Sequence, residues 1–142
     1  MSKLIQRLND ASRSGVYRAP ADDVIREVLN GSGLHIFDVS LQGAKAKDEI
    51  LQRIATALRF PDWFGGNWDA LEDSLCDLSW QPAQGWLLLV REFSVSARDD
   101  LGVLVDVLGG AAEFWAGQGK LFFAVFIDPE RSLNLPELYR EK

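Results

Sequence analysis

Leu121-Phe122-Phe123-Ala124-Val125-Phe126-Ile127 is the stretch on which the reading of the fold turns, and it contains no polar side chain. A run this short, without alternation, fits a strand buried on both faces, as in a parallel sheet. Upstream, Trp86-Leu87-Leu88-Leu89-Val90 reads the same way. Further upstream, Leu34-His35-Ile36-Phe37-Asp38-Val39 reads as another core strand.

Helical patterns separate these runs. From Asp48 to Phe60, Ile50, Ile54, Ala57 and Leu58 recur at helical spacing, and Pro61 is expected to stop that helix. A second helix is expected after Gly65-Gly66, with Asn67 as its N-cap and Trp68, Leu71, Leu75 and Leu78 as its apolar stripe. A third runs from about Arg98 to Gly117, and Gly109-Gly110 is expected to bend or split it. Both crossovers are long enough to join parallel strands. The expected fold is therefore α/β, a three-stranded parallel sheet with helices packed on it. Residues 1–33 read as an N-terminal extension, with a short helix over Ala21 to Leu29 and a turn at Asn30-Gly31-Ser32-Gly33. In that helix Val24, Ile25, Val28 and Leu29 are expected to face inward. Residues 34–127 read as the main domain. Residues 128–142 read as a peripheral tail that docks through Leu133, Leu135 and Leu138.

Composition narrows the function. The 142 residues are 47% hydrophobic and 25% charged, ordinary values for a globular chain, and they suffice for one domain. No run approaches a membrane span, and the N-terminus shows no signal-peptide pattern. One cysteine, Cys76, and one histidine, His35, exclude an internal disulfide and a Cys/His zinc cluster. The net charge of −6 argues against direct nucleic-acid binding and for a basic protein partner.

The charge is concentrated. Between Arg59 and Arg91 there is no lysine or arginine, but there are five carboxylates: Asp62, Asp69, Glu72, Asp73 and Asp77. On a helix Asp69, Glu72 and Asp73 fall at i, i+3 and i+4, opposite the apolar stripe. A solvated helix face is the plain alternative, but such faces normally interleave lysine or arginine. Trp63, Phe64 and Trp68 stand beside the acids around a glycine turn. Trp68 lies on the stripe and reads as core. Trp63 and Phe64 read equally well as core or as interface anchors.

Catalysis fits less well. A convex helix face offers no cleft for paired carboxylates, and nothing resembles a calcium loop. His35, inside an apolar strand, reads as a core or strand-end residue. No serine or cysteine has a recognisable base partner, and the acidic neighbours of Cys76 would raise its thiol pKa. The glycine turns match neither a P-loop nor a dinucleotide fingerprint. No catalytic residue, metal or cofactor is expected.

The segment Pro61-Asp62-Trp63-Phe64-Gly65-Gly66-Asn67-Trp68-Asp69-Ala70-Leu71-Glu72-Asp73 resembles the barstar family, intracellular inhibitors of barnase-type ribonucleases. The family pattern there is proline, acidic, two aromatics, glycine, any residue, asparagine, apolar, Asp-Ala-Leu, any residue, Asp. It matches without a gap, and the order of elements matches over about Leu34 to Ile127. The resemblance implies a barstar-like fold and an acidic helix that plugs a nuclease active site by mimicking RNA phosphates. It places Asp73 as the central carboxylate and Asp69 as its partner one turn earlier. Trp63 takes the place of an aromatic that stacks on the enzyme's catalytic histidine, and Gly65, Asn67 and Trp68 line the contact. Glu72, at the variable position of the pattern, stands where the best-known member has tryptophan. A later acidic contact falls near Glu113 or Phe114. The expected partner-binding set is Trp63, Phe64, Gly65, Asn67, Trp68, Asp69, Glu72, Asp73 and Cys76. The expected partner is a basic extracellular-type or toxin ribonuclease. The chain is expected to be non-enzymatic, cytoplasmic, monomeric when free and part of an antitoxin or immunity pair. The alternative reading is an acidic interaction module for another basic partner.

Overall fold

A computed structural model describes residues 3–62 and 65–139. Its elements run in chain order α1 (Lys3–Leu8), β1 (Gly15–Ala19), α2 (Asp23–Leu29), β2 (Leu34–Ser40), α3 (Lys47–Leu58), α4 (Trp68–Leu75), β3 (Gly85–Arg91), α5 (Arg98–Gly117) and β4 (Leu121–Ile127). The strands form one parallel sheet in the order β1-β4-β3-β2. The sheet thus has four strands where the sequence reading expects three. The added strand, β1, comes from the N-terminal segment, and Gly15 to Ala19 pair in register with Phe123 to Ile127.

The topology explains which helix covers which face. From β2 through β3 to β4 the chain steps one way across the sheet, whereas β1 to β2 crosses it the other way. Right-handed crossovers then place α3, α4 and α5 on one face and α2 on the other. The side chains agree. Phe37, Val39, Leu88, Val90, Phe122, Ala124 and Phe126 meet α3, α4 and α5 in a first core. Leu87, Leu89, Phe123 and Val125 meet Leu4 and Leu8 of α1 and Ile25 and Leu29 of α2 in a second. This is why β3 and β4 carry no alternation. Each fully buried Leu or Phe contributes about 1.5–3 kcal/mol over an exposed one. Val24 departs from the expected inner face of α2, being 40% exposed.

β2 is an edge strand, which leaves His35 exposed, its ring stacked on Phe37 at 4.2 Å. Gly85 sits where its strand passes between two others. A Cβ there would lie 2.7 Å from Leu121 Cβ and 2.8 Å from Leu121 O. The tail does dock. Leu133 and Leu135 pack on the first core and Leu138 is buried in the second. Between them the tail crosses the outer edge of β1: Arg18 N donates to Pro136 O and Leu138 N donates to Arg18 O, each at 2.9 Å. The buried Asp128 carboxylate starts the tail, accepting from the backbone N of Ser132 at 3.0 Å and of Leu133 at 2.8 Å.

Candidate functional site

The acidic helix is built by local signals and held by tertiary ones. α3 ends at Leu58 because Arg59 turns left-handed, with φ 54°, two residues ahead of Pro61. Its last carbonyl, Leu58 O, accepts from Trp80 Nε1 and Gln81 Nε2, both at 3.1 Å. The chain leaving α4 therefore returns to cap the helix before it. Gly66 supplies a left-handed turn, φ 72°, ahead of α4. Asn67 is the N-cap, its Oδ1 accepting from Ala70 N at 2.7 Å. Capping of this kind is worth about 1 kcal/mol.

Eight residues are too few for a helix to stand alone in water. α4 is stable through the apolar residues of its buried side, Leu71 and Leu75, which join the first core with α5 and the sheet. Trp115 of α5 reinforces it, with Nε1 donating to Leu75 O at 2.7 Å in the last turn of α4. α5 itself is continuous through Gly109-Gly110, so the pair does not split it. A helix penalty of about 1 kcal/mol per glycine is small beside its buried stripe. Gly110 faces α4 instead: Glu72 Oε2 lies 3.4 Å from where a Cβ would stand.

Asp69, Glu72 and Asp73 are all exposed on the outward face of α4, and Asp77 beyond its end is exposed too. Gly65 is exposed and folds over the first turn, a Cβ there lying 3.5 Å from Ala70 Cβ. Asn67 is exposed, whereas Trp68 is half-buried against the first core. Trp63 and Phe64 lie outside the described residues. Cys76 is half-buried at the C-cap. Burial first, then the Glu72 and Asp73 carboxylates, push its thiol pKa up, so it is a poor nucleophile. One turn past Gly110, Glu113 and Phe114 are exposed, Phe114 at 42%. The part of Gly110 and Trp115 in positioning α4 has no local sequence signal, because it arises where two helices cross.

The arrangement presents carboxylates on a convex surface. Among the described residues no group of three His, Cys, Asp or Glu side chains is placed to hold a metal ion. No helix among them is long and apolar enough to cross a membrane. What such a face can do is meet positive charge. Concentrated charge steers encounter with a complementary surface and speeds association in a salt-dependent way.

A family model described as Barstar (barnase inhibitor) matches residues 34–127, more than half of the chain. That span runs from the first residue of β2 to the last of β4. It contains α4 and the turn before it and leaves out α1, β1, α2 and the tail. Among curated proteins none matches the chain.

Proposed function

The chain belongs to the barstar family, the barnase inhibitors, and we propose that it blocks the active site of a basic, barnase-type or toxin ribonuclease with the outer face of α4. The observation that carries this reading is the exposed row Asp69, Glu72 and Asp73, inside a stretch from Arg59 to Arg91 with no intervening lysine or arginine. The carboxylates stand in for RNA phosphates against the cations of the nuclease cleft. Asp73 is the central group, Asp69 its partner one turn earlier, and Gly65, Asn67 and Trp68 line the contact. Trp63 and Phe64 supply the aromatic edge, and Cys76 the lower border.

Glu72 and α5 adapt the surface. The Glu72 carboxylate lies against Gly110, and Glu113, one turn on, is the carboxylate on α5 best placed to extend the acidic row. Binding, not turnover, is the activity. It serves as immunity against a nuclease in the cytoplasm.

The test is inhibition of a barnase-type ribonuclease by the purified protein at low and moderate salt, alongside Asp73→Ala. Truncating a carboxylate that is desolvated in a complex weakens binding by about 2–5 kcal/mol, roughly 30-fold to several-thousand-fold. The barnase–barstar pair is itself a reference case for that range. Inhibition that weakens with salt, falls steeply in Asp73→Ala and falls less in Asp69→Ala is the expected result. Tight inhibition retained in Asp73→Ala would overturn the phosphate-mimic reading. A protein that captures some other basic partner through the same face would favour a general acidic interaction module.

A further inference from the structure

Positive charge is segregated at the other end of the chain. The first twenty residues carry Lys3, Arg7, Arg13 and Arg18 against one carboxylate, Asp10, in a chain of net charge −6. α1 packs on the second face of the sheet and α4 on the first, so the basic and acidic surfaces lie in opposite layers.

On α1, Leu4 and Leu8 are buried. Lys3, Gln6 and Arg7 fall at i, i+3 and i+4, one face of the helix. Asp10 then caps a 3-10 turn, Ala11–Arg13, that brings Arg13 back toward them. Lys3, Gln6, Arg7, Asp10 and Arg13 line a recess of ≈ 430 Å³. Arg7 is fixed there. Its Nη1 donates to Glu137 O at 3.0 Å and Leu138 O at 2.6 Å, and its guanidinium carbon stands 5.8 Å from the centre of the Tyr17 ring. Those bonds use one end of the fork and leave the Nε and Nη2 donors. The Asp10 carboxylate is turned to Ser12, accepting from its N at 3.0 Å and its Oγ at 2.6 Å. Among the described residues no carboxylate lies within ion-pair distance of Lys3, Arg7 or Arg13.

Three cations converge on one concavity, one of them immobilised, and the carboxylate there, Asp10, is held chiefly by Ser12 and only secondarily drawn by Arg13; on a solvated face charges point apart. We propose that this recess binds a small phosphate-class anion, either inorganic phosphate or the phosphate of a mononucleotide. The Arg7 fork supplies directional donors, Lys3 and Arg13 supply charge from two sides, and the Gln6 amide adds a neutral donor. A polynucleotide fits less well, because the recess is local and the rest of the chain would repel a polyanion. The site is independent of the nuclease-facing surface, and either can fail without the other.

The test is a titration of the full chain with inorganic phosphate, adenosine monophosphate and a short oligoribonucleotide, at matched ionic strength, followed by amide and arginine side-chain NMR. Saturable shifts confined to residues 3–13 are expected with the first two. Equal affinities identify phosphate alone as the ligand, and tighter binding of the mononucleotide identifies a nucleotide. The double variant Lys3→Ala/Arg13→Ala, which removes no side-chain hydrogen bond of the fold, is expected to weaken binding at least about tenfold with an unchanged melting curve. Non-saturating shifts spread over all basic residues, or saturation unaltered in the double variant, overturn the proposal. So does an oligoribonucleotide that binds far more tightly than its phosphate count explains, since that marks a polyanion track.

Discussion

Replacing Ser74 with alanine should stabilise the protein, because the hydroxyl is buried without a partner. Ser74 is 0% exposed, on the inner side of α4 between Leu71 and Leu75, and its Oγ has no hydrogen-bond partner among the described residues. An unsatisfied buried hydroxyl costs about 1–3 kcal/mol. Alanine keeps the Cβ, removes the orphan and gains up to about 0.5 kcal/mol of helix propensity. Against this, an oxygen-sized gap of about 10–15 Å³ costs about 0.2–0.4 kcal/mol at the usual cavity rate. The balance is about 1–3 kcal/mol in favour of the variant, a rise of about 3–10 °C in Tm for a domain of this size. Urea denaturation reads it as a higher midpoint with an unchanged m value. Nuclease inhibition should not change, since Ser74 points away from Asp69, Glu72 and Asp73. A lower midpoint would refute the reasoning. It would mean that the hydroxyl bonds back to the Ala70 carbonyl in solution and that this bond holds α4 in place.

Three further outcomes follow from other contacts. Trp115→Phe removes the bond to Leu75 O and weakens the stacking of Lys120, whose Nζ lies 5.8 Å from the Trp115 ring centre. It should cost about 1–2 kcal/mol in denaturant melts and weaken inhibition less than Asp73→Ala does. Gly85→Ala forces a Cβ against the Leu121 backbone and should destabilise by about 1–3 kcal/mol in the same assay, since strand atoms have little room to move. Asp128→Asn should lose stability at neutral pH and little in acid. Burial raises the Asp128 pKa, but donors from Leu133 and Ser132 and the charge of Arg18 more than offset it, so the folded value lies below the ordinary one. A lowered folded pKa means stability fully present above about pH 4 and lost as pH falls through the folded value. The gap between wild type and variant should therefore close on acidification, and a gap that widens would contradict the assignment.

How much of this was legible depends on whether the signal was local. α4 was legible because Gly66, Asn67 and the Leu71/Leu75 spacing sit within one segment. β3 and β4 were legible because burial on both faces removes the polar alternation. β1 was not: its five residues are mostly half-buried, and Tyr17 and Arg18 hide the pattern. It is a strand because β4 offers it an edge, and nothing near Gly15 to Ala19 in the sequence encodes that pairing. A clue was nevertheless present in the long runs Trp86 to Val90 and Leu121 to Ile127. Strands apolar on both sides require a second covering layer, and residues 1–33 were the segment left to supply it. The glycine pair in α5 misled for the converse reason, since a local penalty was outweighed by packing across the helix pair.

The same balance explains how a short helix can carry so much like charge. Repulsion among Asp69, Glu72 and Asp73 costs about 0.2–0.5 kcal/mol for each close pair, so up to about 1 kcal/mol in all. Leu71 and Leu75 are each fully buried, and burial of such a side chain contributes about 1.5–3 kcal/mol. The N-cap of Asn67 and the Trp115 bond add to that side. Stability thus resides on the inner face and charge on the outer one. The carboxylates can be altered without unfolding the helix, so loss of inhibition in Asp73→Ala, with an unchanged melting curve, would report on recognition alone.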